Sequence, residues 1–222
     1  FYVRALSEDA PFLMPIKNGF ELAKQLNRRD LYGDFLNAID QINDSAGKTI
    51  LQSRIKMHQG FHKEACSLLE GILIRNEDFL DIKQLRTEIN QASADLTLLG
   101  EGVGDEIYKE LAYLYILTAQ YQNLASLIEA ISQWDIDLDG DWRIIESIAL
   151  SMQGRTQEAI QAVHGMSNQP PPLLAKSFAL FRSGDLDGAM VQLNDLDNLE
   201  EDIDSYNFPL CVPSAFQPSM AS

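Results

Sequence analysis

The sequence has no long apolar run and no cluster of positive charge. No apolar stretch among the 222 residues approaches the ~20 residues that a membrane-spanning helix needs. Its 17 Lys and Arg residues are scattered, whereas 33 Asp and Glu residues give a net charge of −16. Because nucleic acids and anionic membranes are bound through clustered cationic side chains, we expect neither as a partner. The excess acid favours a basic partner or divalent cations.

Cysteine and histidine are also scarce, with two and three residues. No Ser-His-Asp, Cys-His or paired-carboxylate arrangement stands out, so the sequence predicts a protein that is not an enzyme. Cys66 falls among apolar neighbours and Cys211 in a Pro-containing tail, and whether they pair depends on an oxidising compartment. The chain starts at Phe1 rather than Met, so we expect a processed or excised product whose missing leader says little about its compartment.

A short phrase recurs along the chain. It reads Gln-Gly-Phe-His-Lys-Glu-Ala at 59–65, Gln-Gly-Arg-Thr-Gln-Glu-Ala at 153–159 and Ser-Gly-Asp-Leu-Asp-Gly-Ala at 183–189, with a weaker copy at 119–124. Each copy lies between stretches with helical apolar spacing. Gly supplies a left-handed turn, and Ala lets the second helix pack closely on the first. The pattern predicts an all-α fold, an irregular solenoid of helical-hairpin repeats.

The clearest repeats are predicted at 48–75, 105–134, 141–166 and 172–197, within a single domain over 1–204. We expect Asp30 to cap a helix, 45–47 to form a turn, and three prolines at 170–172 to separate two repeats. Asp78 is predicted to cap an inserted helix over 78–99, which either packs on the solenoid or forms a dimerising coiled coil; we favour the first.

The last repeats carry the pattern of a known family. Tyr108, Leu111, Ala112 and Tyr115 are followed by Tyr121, and later copies keep a small residue and a helix-B Ala at Ser147, Ser177, Ala159 and Ala189. This pattern resembles the tetratricopeptide repeat. The resemblance implies that the first helices of the repeats line a groove that binds a protein or a peptide.

Projected onto this chain, that groove is apolar and aromatic, which suits an amphipathic helix or an apolar peptide. Its predicted lining is Tyr113, Ile116, Leu117, Ile144, Ile148, Met152, Phe178, Phe181 and Arg182. Alternatively, a neighbouring helix or the apolar tail over 205–222 covers these residues. The tail could also mediate self-association.

The segment 135–146 resembles an EF-hand calcium loop. Acidic residues stand at its first, third, fifth and seventh places, Gly140 at the sixth and Glu at the twelfth. Calcium takes six to eight oxygen ligands, the Gly permits a sharp turn, and a bidentate Glu closes the cage. The resemblance implies a Ca²⁺ site formed by Asp135, Asp137, Asp139, Asp141 and Glu146. The alternative is a solvated acidic turn.

Together these patterns predict a protein- or peptide-binding scaffold in which a structural calcium ion braces two repeats. Two alternatives stay open: a calcium-responsive regulatory adaptor, and a catalytic or non-catalytic subunit of a larger enzyme assembly. The compartment is not indicated directly. A calcium site favours a periplasmic or secreted protein, because free calcium is plentiful there.

Overall fold

The protein was analysed as a computed structural model, which describes residues 13–42, 45–91, 103–134, 140–166 and 170–197. These residues are almost entirely helical, which confirms the predicted all-α class. The helices are α1 (Leu13–Gln25), α2 (Tyr32–Asp40), α3 (Ala46–His58), α4 (His62–Leu73), α5 (Ile82–Gln91), α6 (Val103–Leu117), α7 (Tyr121–Ser132), α8 (Gly140–Met152), α9 (Thr156–Ala162), α10 (Pro170–Ser183) and α11 (Leu186–Asp197). Among the described helices, none has the length and apolar character to cross a membrane. Arrangement of the helices as a solenoid stays a prediction.

The chain divides into two compact units, residues 1–114 and 115–222, with the boundary inside α6. In the first unit, α1, α2 and α3 pack on one another around Phe20. The Phe20 ring meets Tyr32, Phe35 and His58 edge-on, at centroid distances of 5.3, 6.5 and 5.6 Å. Edge-to-face pairs of this kind add to the stabilisation that burial provides.

In the second unit, α8 packs against α7, α9 and α10. Ile144 and Ile148 of α8 form one apolar cluster with Val163 and Ala175. Leu150 forms a second cluster with Ala159 of α9 and Ala179 of α10. The central helix of this unit therefore buries two of its faces, one toward each cluster.

The recurring phrase forms the same turn each time. Gly60, Gly154 and Gly184 have φ angles of 87°, 77° and 87°, and Ala119 in the weaker copy has φ 58°. Each left-handed residue donates to a carbonyl three residues back, and the next residue donates to one five residues back. This pair of bonds is the Schellman motif, which satisfies the last carbonyls of a helix.

A second bond repeats inside three of these helix-turn-helix pairs. A buried Ser hydroxyl on the first helix donates to the carbonyl of the Ala that lies twelve residues later on the second helix. The pairs are Ser53 with Ala65 at 2.9 Å, Ser147 with Ala159 at 2.8 Å and Ser177 with Ala189 at 3.4 Å. At the matching place in α6 the chain has Ala112, which has no hydroxyl. The sequence repeat is therefore accompanied by a hydrogen bond that recurs at the same place in three of the helix pairs.

Several predicted helix boundaries were wrong. Asp30 does not cap α2, because a 3-10 turn over Arg29–Leu31 precedes that helix and the Asp30 carboxylate accepts two hydrogen bonds from Arg28. The predicted turn at 45–47 is the start of α3, where the Ser45 side chain accepts from the Lys48 N–H. The three prolines begin α10 instead of separating helices, since Pro tolerates the first turn, where N–H groups lack partners anyway.

The inserted helix also differs from its prediction. A two-stranded antiparallel hairpin, β1 (Ile74–Arg75) and β2 (Asp78–Phe79), follows α4. Asp78 lies in β2, and Asp81 caps α5 instead, accepting from the Gln84 N–H at 2.7 Å. The predicted helix over 78–99 is described only to Gln91, and the rest of it lies outside the described residues.

A partly buried ion pair joins α3 and α6 in the first unit. Arg54 donates from Nε and Nη2 to one oxygen of Glu110, both at 2.8 Å, and the two side chains are 18% and 21% exposed. Burial raises the pKa of Glu110 above its ordinary value, although the positive charge of Arg54 opposes this shift. Burial lowers the pKa of Arg54, but the charge and hydrogen bond of Glu110, with the charges of Glu106 and Glu21, more than offset this and raise it. The pair therefore keeps the guanidinium charged, while burial disfavours the charged carboxylate.

The turn geometry predicts opposite effects for two matched substitutions. We expect Ala119→Gly to raise the free energy of unfolding by about 0.5–1 kcal/mol, because Gly relieves a left-handed φ that costs Ala about 1–2 kcal/mol. Gly154→Ala should lower it by about 1–2 kcal/mol. A Cβ at Gly154 would meet no atom within 4 Å, so this loss reports backbone strain alone. Urea denaturation measures the free energy of unfolding of both variants. A lower value for Ala119→Gly than for the wild type would show that Ala119 is not strained.

The ion pair predicts an asymmetry between its two partners. Glu110 has a folded pKa above its ordinary value of 4.5, so its stabilising contribution is complete below the unfolded pKa and is lost as pH rises through the folded pKa. Glu110→Gln should therefore lose less stability at pH 7 than a variant without Arg54, because its neutral amide still offers the guanidinium a hydrogen-bond acceptor without the cost of a buried carboxylate. Arg54→Met should cost about 3 kcal/mol at pH 7, because it leaves a largely buried carboxylate without its cation. Thermal unfolding across pH measures both, and equal losses at pH 7 would contradict the expected asymmetry.

Candidate functional site

A groove crosses α8 between α7 and α9 in the second unit. It is open to solvent and has a volume of about 690 Å³. Its floor is apolar and built largely of small residues: Ala125, Ile128, Ala149, Leu150 and Ala162. Its rim is polar, and half of its residues are acidic: Glu129, Glu146, Gln153, Arg155, Glu158 and Gln161. We call these eleven residues the acidic groove.

The elements around the groove explain its shape. α8 contacts both α7 and α9, so it forms the bottom of the groove while the other two helices form its walls. Ala149 and Leu150 are only 3% and 9% exposed, and Leu150 packs against Ala159 of α9 and Ala179 of α10. Helix axes come nearer where the side chains between them are short. The alanines on all three helices therefore leave a shallow apolar channel that larger residues would fill.

An arginine holds one wall in place. Arg143 of α8 donates from Nε to the carbonyl of Ala162 at 2.8 Å and from Nη2 to that of His164 at 3.1 Å. These carbonyls belong to the end of α9, where helix carbonyls lack partners within the helix and cations are favourable. Arg143 is the ninth residue of the predicted calcium loop, and in the structure its guanidinium caps the neighbouring helix.

The groove carries a net negative charge. Arg155 makes hydrogen bonds to both carboxylate oxygens of Glu158, which lower the pKa of Glu158 below its ordinary value. The same bonds, together with the charges of Glu158 and Glu146, raise the pKa of Arg155. Three carboxylates and one guanidinium leave a charge of −2 on the rim. Glu129 and Glu146 are the acids that Arg155 does not hydrogen-bond.

The groove predicted from the family resemblance lies elsewhere, and parts of it are interior. Ile144 and Ile148 are 3% and 9% exposed, because Ala175 and Phe178 of α10 pack against them with Ile116. Of the other predicted lining residues, Tyr113, Leu117 and Met152 are half-buried, while Phe181 and Arg182 are exposed. A neighbouring helix therefore covers the two isoleucines, which was the alternative to an open groove at these positions.

The predicted calcium ligands are only partly described. Asp135, Asp137 and Asp139 lie outside the described residues. Asp141 is exposed, and Glu146 lines the acidic groove. Both belong to α8, five positions apart, which places their side chains about 140° apart around the helix axis. Among the described residues, no three His, Cys, Asp or Glu side chains come together as a metal site. Calcium binding by 135–146 stays a prediction.

The position of Glu146 gives that hypothesis a sharp test. Since Glu146 lies on the groove side of α8, we expect Glu146→Gln to change the calcium affinity of the chain by less than about twofold, an effect of under ~0.4 kcal/mol. Isothermal titration with Ca²⁺ measures this, with Asp139→Asn as the loop variant for comparison. A tenfold or greater loss in Glu146→Gln would instead make this residue a ligand, as the EF-hand resemblance implies.

Comparison with known proteins returned no match for this chain. No family model, no curated protein sequence and no solved structure matches it. The tetratricopeptide and EF-hand resemblances therefore rest on the residues named above. The functional argument rests on the chemistry of the acidic groove itself.

Proposed function

We propose that this protein is a binding module whose acidic groove holds a cationic amphipathic helix of a partner protein. The observation that carries the proposal is the pairing of an alanine-rich floor with a rim of net charge −2. A helix-in-groove complex requires these two features, an apolar surface for one face of the partner helix and polar groups beside it. The tetratricopeptide resemblance supports the same class of function.

The apolar floor determines which side chains of a partner helix can enter the acidic groove. Along α8, the groove runs from Glu146 to Gln153, about 10 Å at 1.5 Å per residue. It therefore contacts about two turns of a partner helix. Ala125, Ala149 and Ala162 leave room for side chains of Leu or Met size to descend between α7 and α9. Burial of such side chains provides the affinity, at about 25 cal/mol per Å² of apolar surface.

The rim determines the sign of the partner's charge. Lys or Arg side chains that flank the partner's apolar face come near Glu129 and Glu146, whereas an acidic helix meets repulsion from both. The whole chain, at −16, attracts a cationic partner over a longer range and repels an anionic one. Specificity thus comes from charge, and affinity mainly from the floor.

A synthetic peptide tests this proposal. The probe is a helical peptide of about five turns, with Leu and Ala on one face and Lys on the other, labelled for fluorescence anisotropy. We expect saturable binding that weakens as NaCl rises from about 0.1 to 1 M, because the Debye length falls from about 10 to 3 Å. The same peptide with Glu in place of Lys should not bind.

Paired variants place the binding in the groove. Glu129→Lys with Glu146→Lys should weaken binding of the Lys peptide at least tenfold, or about 1.4 kcal/mol. Asp187→Lys with Asp195→Lys changes the net charge equally on exposed sites of α11, outside the groove, and should weaken it less than threefold. Equal losses in both double variants would mean that only the overall charge attracts the peptide, and the groove assignment would then fail.

A further inference from the structure

The charge of the acidic groove differs along its length. Ser147 of α8 donates to the carbonyl of Ala159 of α9, and Arg143, in the first turn of α8, donates to the carbonyl of Ala162, the last residue of α9. The two helices are therefore antiparallel. Residues that precede Ala159 in the chain lie toward the C-terminal end of α8.

Glu146 and Arg155 mark two ends of the groove. Glu146 comes one residue before Ser147, and Arg155 comes four residues before Ala159. Since Ser147 and Ala159 lie side by side, the backbones of Glu146 and Arg155 are about 7 Å apart along the helices, at ~1.5 Å per residue. One turn of a partner helix rises about 5.4 Å, so the two ends contact different turns of that helix.

The Arg155 end carries no net charge. Arg155 donates from Nε and Nη2 to the two oxygens of Glu158, at 2.8 and 2.5 Å, and from Nη1 to the amide oxygen of Gln153 at 3.3 Å. The side chains of the ion pair are 50% and 58% exposed, so a bound partner can contact them. Without the guanidinium, the Glu158 carboxylate would give this end the same charge as the Glu146 end.

The Glu146 end keeps its negative charge. Arg155 binds the carboxylate of Glu158 and not that of Glu146. Arg143 precedes Glu146 by three residues but does not line the groove, because its guanidinium is bound to two carbonyls at the end of α9. A lysine of the partner therefore meets a carboxylate beside Glu146 and a neutral ion pair beside Arg155.

We propose that Arg155 selects the charge pattern of the partner helix, with cationic side chains on the turn beside Glu146 and uncharged ones on the turn beside Arg155. This inference rests on the proposed function and adds a specificity to it. A lysine beside Glu146 is attracted by its carboxylate, whereas a lysine beside the ion pair is attracted by Glu158 and repelled by Arg155. A lysine at that second turn therefore contributes little to the affinity.

Two variants of the ion pair separate its charge from its structural role. Arg155→Gln leaves the Glu158 charge unbalanced and should strengthen binding of the Lys peptide about threefold, whereas Glu158→Gln leaves the Arg155 charge unbalanced and should weaken it about threefold. Both variants break the same hydrogen bonds. If the pair only held α9 in place, the two variants would change the affinity in the same direction. Fluorescence anisotropy measures both.

A second peptide tests the charge pattern itself. It keeps the apolar face of the Lys peptide but has Lys in one half and Gln in the other. The quantity measured is the affinity of the Lys peptide divided by that of the half-Lys peptide. We expect this ratio to be about threefold higher in Arg155→Gln than in the wild type. Arg182→Gln, on an exposed site of α10 outside the groove, removes the same charge and should leave the ratio unchanged.

The outcomes distinguish this inference from the proposed function. An equal ratio in the wild type and in Arg155→Gln, or a change of affinity in the same direction for both ion-pair variants, would overturn the role of Arg155 and leave binding in the groove intact. An equal rise of the ratio in Arg182→Gln would also overturn it, because overall charge would then account for the effect. No binding of the Lys peptide to the wild type would refute the proposed function, and this inference with it.

Discussion

Reversal of the chain between paired helices is the constraint from which the rest of the structure follows. The first helix of a pair ends at a residue in the left-handed conformation. In that conformation, the N–H of this residue and the N–H of the next residue reach the last carbonyls of the helix. Gly60, Gly154 and Gly184 adopt it without strain, and Ala119 adopts it despite its Cβ. Because the turn has the same hydrogen bonds each time, the second helix begins at the same place relative to the first.

That fixed start brings small residues of the two helices together. In three pairs, the Ser hydroxyl on the first helix reaches the carbonyl of the Ala on the second, so both side chains must be short for the helices to approach. In the second unit, α8 and α9 approach closely at Ser147 and Ala159, and their chain neighbours Glu146 and Glu158 line the acidic groove. The local turn chemistry thus determines the dimensions of a surface that could bind a partner.

The sequence predicts the helices and turns of this fold better than it predicts which helices pack against one another. The turns and the small residues are visible because each depends on residues close in sequence. The β1–β2 hairpin was missed because Asn76 and Glu77 form its left-handed turn, and Glu is not a residue that indicates one. The predicted groove included Ile144 and Ile148 because the family resemblance assigns them to the first helix of a repeat without telling which other helix covers them. The acidic groove gave no signal of its own, since its alanines lie on three helices and form a floor only after folding.

Glu146 shows why a linear motif and a folded site can compete for one residue. In the sequence, Glu146 is the twelfth residue of a calcium-loop pattern. In the folded chain, it lies on the side of α8 that faces Arg155 and the groove. The helix begins at the sixth residue of that pattern, so Asp141 and Glu146 both lie on α8, about 140° apart around its axis. Buried Trp142 and Ile145 account for the early start, since they give α8 an apolar side from its first turn. Packing of α8 therefore places the Glu146 carboxylate in the acidic groove, near Arg155.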